Sequence, residues 1–445
     1  MIQSLKPADR GVSPLDRAHA LRLDQKTEDA LRLAGSIVTA SPEDVGAAYL
    51  LARLLLDKGR AAPVGNATEA LVERFVRRGD LLGACLTAQL GFEAGGFAEN
   101  AISTIAEAFG KGSKRVSDVS PRPPPLPTAV EVAPFFAKLS GDALLDACEK
   151  ALTRFIETKD GVPDTASLPK LPLFGELEPA VLTRLLGAFE ARELKAGEYV
   201  VKQGDDGKEA FALARGVLNV VREDEARGPV VLAALGPGSI FGEMALVSDA
   251  PRAASVVAVE PAQFFSAQRK HLEALAQKEP AIGRALGSFC HGRMVSNLIR
   301  HSVILSAVEP KLRQELVGRF APETFKTGAK LVSEGDEGGC LFLIASGTVD
   351  VRSKDAEGDA VVLAQLGPGD VVGEISLILR RPATADVIAV HQTVALKLTR
   401  DEFQQAIKQH PKLLSELYEL ATKREEETRS VVAQEALDVS DVVLL

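Results

Sequence analysis

Hydrophobic and polar positions follow two different schedules along this chain, and the change falls near residue 170. From Asp16 to about Lys111 the sequence is rich in Ala and Leu and poor in β-branched runs. Stretches such as Ala47-Ala48-Tyr49-Leu50-Leu51-Ala52-Arg53-Leu54-Leu55-Leu56 predict buried helices, with Gly59 as a stop. Short Gly and Asp breaks between them predict an array of helical hairpins. Beyond Leu171 the pattern turns to short β-branched and aromatic runs punctuated by Gly and Asp. Tyr199-Val200-Val201, Phe211-Ala212-Leu213-Ala214 and Val217-Leu218-Asn219-Val220-Val221 read as strands between turns, and so do Lys330-Leu331-Val332 and Leu341-Phe342-Leu343-Ile344. The spacing suits small antiparallel barrels or jelly rolls. Helical periodicity returns over His271 to Arg300 and Arg400 to Gln434.

Between the two regimes, Ser117 to Thr128 contains Pro121, Pro123, Pro124, Pro125 and Pro127. That composition predicts an extended polyproline II spacer or, alternatively, a ligand for a proline-binding domain. A short helix over roughly Ala133 to Thr158 follows. Just before the spacer, Lys114-Arg115-Val116-Ser117 resembles a basophilic kinase site or a kinase-inhibitor segment, although short basic tracts in linkers are usually only solvated charge.

The β region is a duplication. Gly197, Gly204, Gly207, Gly216, Gly236, Gly238, Gly242 and Glu243 recur as Gly328, Gly335, Gly338, Gly347, Gly367, Gly369, Gly373 and Glu374, each pair 131 residues apart. Pro179 and Pro310 keep the offset, and so do Pro251 and Pro382. So many turn residues in one ungapped register mark two copies of one structural unit.

The chemistry lies in Phe241-Gly242-Glu243-Met244-Ala245-Leu246 and the following Ala250-Pro251-Arg252-Ala253-Ala254-Ser255. A Gly turn leading into a helix start exposes free backbone N–H groups that attract an anion. Arg252 can clamp the same anion with its planar fork, and Glu243 can accept from a neighbouring hydroxyl. This segment resembles the phosphate-binding cassette of cyclic-nucleotide-binding domains, as found in regulatory subunits of cyclic-AMP-dependent protein kinase and in catabolite-activator-type proteins. The resemblance covers both copies, about Leu171 to Arg424. It implies that Arg252 pairs with the cyclic phosphate and that Glu243 accepts from the ribose 2′-hydroxyl. It further implies that Gly242, Met244, Ala245 and Ala253 line the nucleotide, chiefly with backbone N–H groups, and that Ser255 lies near the base. Cyclic-GMP binders of this family often carry Thr directly after the Arg. Ala253 stands there, which favours cyclic AMP over cyclic GMP. Phe289, Met294 and Leu298 are candidates to cap the base.

The second copy keeps Gly373-Glu374 but has Ala383 at the Arg position and Asp386 in place of Ser255. A two-residue gap would bring Arg381 into register. The ungapped match of Val387-Ile388-Ala389-Val390 to Val256-Val257-Ala258-Val259 favours Ala383. Glu374 and Asp386 without a buried cation would repel a phosphate, so the second site is expected to be vestigial.

Composition narrows the rest. The formal net charge of -9 argues against broad contact with a nucleic-acid backbone, and the acidic Glu425-Glu426-Glu427 run makes the last helix a poor DNA reader. The four cysteines lack CxxC spacing and the six histidines lack HxH or HxxxH spacing, so neither a metal nor a bound cofactor is expected. No apolar run reaches membrane-spanning length, and a cytoplasmic protein is expected. No GxSxG, Walker-type loop or kinase catalytic loop occurs, so no enzyme activity is expected.

The expected fold is therefore multidomain α+β. An α-helical domain over 1–116, loosely similar to tetratricopeptide-type repeats, precedes a Pro-rich linker and helix over 117–168. Two antiparallel β-barrel or jelly-roll domains with flanking helices follow over 169–300 and 301–437, then a tail over 438–445. The expected function is a cyclic-nucleotide sensor, its first barrel loaded with cyclic AMP or cyclic GMP. Movement of the helix joining the barrels would pass the signal to an unidentified protein effector, reached through the helical domain. Two alternatives stand beside it: a scaffold whose barrels no longer bind nucleotide, and a protein-kinase regulatory subunit.

Overall fold

A computed structural model describes residues 12–95, 98–117, 131–159, 167–169, 171–224, 228–306, 308–354 and 360–442. The Pro-rich run at 121–127 lies outside the described residues. The chain divides into two compact units. One comprises Met1–Asp205, Glu209–Gly242 and Arg252–Gly287; the other comprises Asp206–Lys208, Glu243–Pro251 and Ser288–Leu445.

The first unit opens with six helices: Pro14–Leu23, Thr27–Ala40, Val45–Asp57, Ala61–Arg78, Leu81–Glu93 and Ala98–Phe109. Local signals start them. Pro14 occupies the first turn behind the Ser13 cap, whose hydroxyl accepts from the Asp16 N–H at 3.1 Å. Asp44 and Asp80 cap their helices by accepting from the N–H groups of Ala47 and Gly83. Consecutive helices pack on each other, burying Leu31, Leu50, Leu51, Leu54, Leu71 and Leu90. Helix lengths vary from 10 to 18 residues, so no repeat unit of fixed length emerges.

The single helix expected over 133–158 is two, Pro134–Ala137 and Gly141–Glu157, the second opening at Gly141 with a left-handed φ of +52°. The longer one packs across the second, third and fourth helices of the array. Arg74, itself buried, fastens its end: Nη2 donates to the Phe155 carbonyl at 2.6 Å and also to that of Thr158, with the guanidinium 4.2 Å above the Phe155 ring. A cation on the last carbonyls of a helix complements both its unpaired acceptors and its dipole.

Each copy of the repeat is a jelly-roll sandwich of two four-stranded antiparallel sheets. In the first, Glu190–Leu194, Ala262–Gln268, Glu209–Arg215 and Ile240–Phe241 form one sheet in that order. Tyr199–Val201, Ser255–Ala258, Leu218–Asp224 and Gly228–Leu235 form the other. Phe211, Leu213, Leu218, Phe241, Val256 and Phe264 fill the space between them. The second copy repeats this strand order over Ala321–Thr399, around Phe342, Ile344, Val349 and Val387.

The helical stretch expected after each sandwich is also broken. Arg269–Lys278 is followed by Pro280–His301, and Arg400–Gln409 by Pro411–Val442. Pro280 and Pro411, again 131 apart, lack the N–H that a continuous helix needs and so begin new helices. No described helix is long and apolar enough to cross a membrane.

Within the first unit the helical array rests on the sheet carrying Glu209–Arg215. Asp16 pairs with Arg215, Arg22 with Glu193 at 2.7 Å, and Asp24 with Lys195 at 2.8 Å. The Gln263 amide donates to the Tyr49 hydroxyl at 3.3 Å. His19 is buried at this seam, and its Nε2 has no hydrogen-bond partner among the described residues. Burial first, then the Arg215 and Arg22 guanidiniums, holds its imidazole well below the ordinary histidine range.

A histidine neutral in the fold but protonated in the unfolded chain supports the fold fully above the ordinary histidine range. That support is lost as pH falls, at up to about 1.4 kcal/mol per pH unit below ~6.5. Asp44 and Asp80 work in the opposite direction. Their carboxyls are raised by burial, that of Asp80 to about 6, so they favour the fold at lower pH. Comparing native protein with His19→Leu separates the two. Between about pH 7.5 and about pH 5.5, the native urea midpoint should fall relative to that of the variant. Parallel midpoints across that range would remove His19 from the account.

Candidate functional site

The first cassette begins where Ile240–Phe241 ends. Gly242 has φ +70°, and a Cβ there would meet Arg252 Nη1 and Phe211 at 3.0 Å and the Glu209 carbonyl at 3.3 Å. Only glycine satisfies both the backbone and the space. Arg252 lies against this turn. Its Nη1 donates to the Gly242 carbonyl at 3.2 Å and its Nη2 to the Glu209 carbonyl at 2.7 Å, with the guanidinium 5.5 Å above the Phe211 ring. The backbone of Arg252 is pinned to the preceding turn: its N–H donates to Asp205 and its carbonyl accepts from Gly204. A planar cation whose stem and head are both held in place suits a dianionic or monoanionic oxygen cluster.

The other half of the cassette, Glu243–Leu246, is a short 3-10 turn with Glu243 and Ala245 buried. Arg293, from the Pro280–His301 helix, donates through Nε to Glu243 Oε1 at 3.4 Å. The Cys290 thiol donates to the Glu243 carbonyl at 3.6 Å, and burial followed by the Glu243 charge pushes that thiol up to about 12. Met244 turns its side chain into the apolar cluster of Leu298, Leu341 and Leu377. Any part Met244 plays toward a ligand therefore falls to its backbone. Ser248, just beyond, donates to the Gln392 carbonyl at 2.8 Å. Ala253 is exposed, and the Ser255 hydroxyl accepts from the Gln203 N–H at 2.9 Å.

The second copy repeats the backbone of this site. Gly373 has φ +82° and leads into the Glu374–Leu379 helix. The Ala383 N–H donates to Asp336 and its carbonyl accepts from Gly335, reproducing the bonds of Arg252 131 residues earlier. Ala383 therefore holds the arginine position. Arg381 is engaged elsewhere, donating to Glu425 at 2.6 Å. A family model for the cyclic nucleotide-binding domain matches residues 191–279 and 322–410, one match on each sandwich. The chain carries two cyclic nucleotide-binding domains in tandem.

Among curated proteins, the chain is 28% identical over 235 residues to a cAMP-dependent protein kinase regulatory subunit of Yarrowia lipolytica. That match covers 53% of this chain and 58% of the relative. It is 27% identical over 230 residues to the type II regulatory subunit of that kinase in Drosophila melanogaster, covering 52% of this chain and 57% of the relative. The matches thus span under three fifths of either relative. Among solved structures, the regulatory domain of Toxoplasma gondii PKA with cAMP is 25% identical, with 57% of this chain and 92% of that one covered and a TM-score of 0.27. Thermus thermophilus catabolite activator protein is 28% identical over 31% of this chain and 62% of that one, also with a TM-score of 0.27.

Two features of the second cyclic nucleotide-binding domain correct the expectation of uncompensated acid. Glu374 is buried, but Arg424 Nη1 donates to its Oε1 at 2.9 Å. Asp386 accepts from Lys330 at 2.7 Å and from the Glu334 N–H at 2.9 Å, and these bonds, that from Lys330 foremost, hold its carboxyl below the usual range. Asp386 thus does for Glu334 what Ser255 does for Gln203, the equivalent residue of the first domain. The carboxylates are neutralised locally, and what the second site lacks is an arginine at the position that Arg252 holds in the first.

Arg293 and Arg424 were not singled out from the sequence, although they stand 131 residues apart like the glycines. Extending the repeat register into the helices would have found them. Of the base-cap candidates, Met294 and Leu298 are buried in the cluster with Leu341 and Leu343, and Phe289 is half-buried outside it. Among the described residues, no group of three or more His, Cys, Asp or Glu side chains could hold a metal ion.

Proposed function

We propose that this chain is a regulatory protein whose first cyclic nucleotide-binding domain takes cyclic AMP and passes the event to a protein partner. The observation that carries the reading is Arg252, whose fork is held beside the left-handed Gly242 turn by the Gly242 and Glu209 carbonyls. A planar guanidinium fork matches the oxygens of a cyclic phosphodiester. The ribose hydroxyl would fall to Glu243, and Ala253 offers no hydroxyl to favour a guanine.

Calorimetric titration of the full chain should give one site per chain, filled more tightly by cyclic AMP than by cyclic GMP. The melting temperature should rise with ligand by mass action. Two equivalent sites per chain, or no heat and no thermal shift with either nucleotide, would defeat the reading.

A specific observation favours a protein kinase as the partner. Lys114 and Ser117 are exposed, and Val116–Ser117 lies as a short strand parallel to Leu168–Pro169, just ahead of the first domain. Two basic residues, a spacer and a serine form the chemistry a basophilic kinase cleft accepts. The kinase regulatory subunits among the curated relatives point the same way. On this reading the chain inhibits such a catalytic subunit, cyclic AMP relieves the inhibition, and Arg115→Ala weakens it.

A further inference from the structure

The second domain holds its own closing helix in place. Pro411–Val442 packs along Glu374–Leu379, with Leu413, Leu417 and Ala421 in the cluster around Leu341, Leu343 and Leu377. Two ion pairs then join this helix to the cassette. Arg424 reaches buried Glu374 and also donates to the Val371 carbonyl at the end of the preceding strand. Arg381, on the arm leading to the empty arginine position, reaches Glu425 one residue further along the same helix. Cassette start and cassette arm are therefore both tied to one turn of one helix.

The first domain has only half of this arrangement. Glu243 and Arg293 correspond to Glu374 and Arg424, at 3.4 Å rather than 2.9 Å. The positions matching Arg381 and Glu425 are Ala250 and Met294, which cannot form an ion pair. In a cassette that keeps an arginine at the position of Arg252, an incoming phosphate would bond to it. In the second domain these groups are paired without one: Glu374 with Arg424, Asp386 with Lys330, Arg381 with Glu425.

We infer that the second domain is latched closed by its own side chains, with Arg424 and the Arg381–Glu425 pair doing what a nucleotide would otherwise do. This goes beyond the proposed function and does not depend on the first domain binding cyclic AMP. The two pairs are unequal. Glu374 is buried and Arg424 mostly so, and a buried carboxylate stripped of its partner is strongly unfavourable. Arg381 is half exposed, so solvent screens its pair and makes it the lesser contribution. The latch is therefore a buried hinge pin with an outer clasp.

Hydrogen–deuterium exchange on the full chain tests it, read over 374–379 and 411–427. Arg252→Ala protein is used for the ligand arm, so that cyclic AMP acts on the second domain alone. Without nucleotide, Arg424→Gln should speed exchange in both segments by on the order of tenfold or more, while the Arg269–Lys278 helix stays as in native protein. If that variant fails to fold, the clasp carries the test. Arg381→Glu or Glu425→Arg alone should raise exchange over 411–427, and the two together should restore protection. Cyclic AMP should leave both segments unchanged in Arg252→Ala. Added protection of 411–427 by cyclic AMP in that protein, or native exchange in every latch variant, would overturn the inference.

Discussion

Arg252→Ala should weaken cyclic AMP binding to the first domain by at least about a hundredfold, because a charge-assisted bond to phosphate contributes roughly 1.5–3 kcal/mol and this guanidinium can supply two. The fold should survive the change. Arg252 is half-buried, it stands in a turn held by backbone bonds through Asp205 and Gly204, and its counterpart Ala383 adopts the same backbone without a guanidinium. That natural comparison makes alanine an unusually clean probe here. Arg252→Lys should fall between native and Ala, keeping the charge while losing the fork that spans Gly242 and Glu209. Calorimetry on the three proteins, with their melting temperatures in the absence of ligand, gives the measurement. Equal affinity in native and Ala proteins would place the nucleotide somewhere other than this cassette.

The repeat register made most of the β architecture legible, because glycine turns and short strands are local signals. The strand Lys330–Val332 and the Gly242 and Gly373 turns stand where the sequence placed them. The choice of Ala383 over Arg381 rests on four matched residues, and Ala383 makes the backbone bonds to Asp336 and Gly335 that Arg252 makes to Asp205 and Gly204. What escaped reading is non-local. Asp16 and Arg215 are 199 residues apart, so no periodicity announces that the helical array lies on the first sandwich. Arg293 and Arg424 escaped for another reason. A polar residue on an amphipathic helix looks like its solvent face until a buried carboxylate is seen opposite it. Met294 and Leu298 show the converse: apolar helix positions offer a cap for a base on pattern alone, and here both pack in the cluster with Leu341 and Leu343.

Gly216→Val should be the most destabilising single substitution in the first domain, by on the order of 3–5 kcal/mol, and two independent costs add to give it. The residue has φ +92°, a region that a β-branched side chain barely enters. Even a bare Cβ would sit 2.7 Å from the Pro261 carbonyl and 2.8 Å from Ala262 Cα, and backbone cannot swing aside as a side-chain tip can. The site is built in, because Gly347 in the second domain has φ +90° and meets the Gln392 carbonyl and Thr393 Cα at the same 2.7 Å. Each glycine turns the chain between two long strands of its sandwich, so the cost falls on the core and not on a loop tip. Gly236→Ala is the matched control. Its Cβ would meet nothing within 4 Å and its φ is not left-handed, so a change within about 1 kcal/mol is expected. Urea unfolding of both variants, followed by a signal from the first domain, decides the matter. A Gly216→Val protein as stable as Gly236→Ala would mean that the strand ends can separate here without cost. The turn would then contribute little to holding Arg252 and Glu209, the residues on which nucleotide binding is proposed to depend.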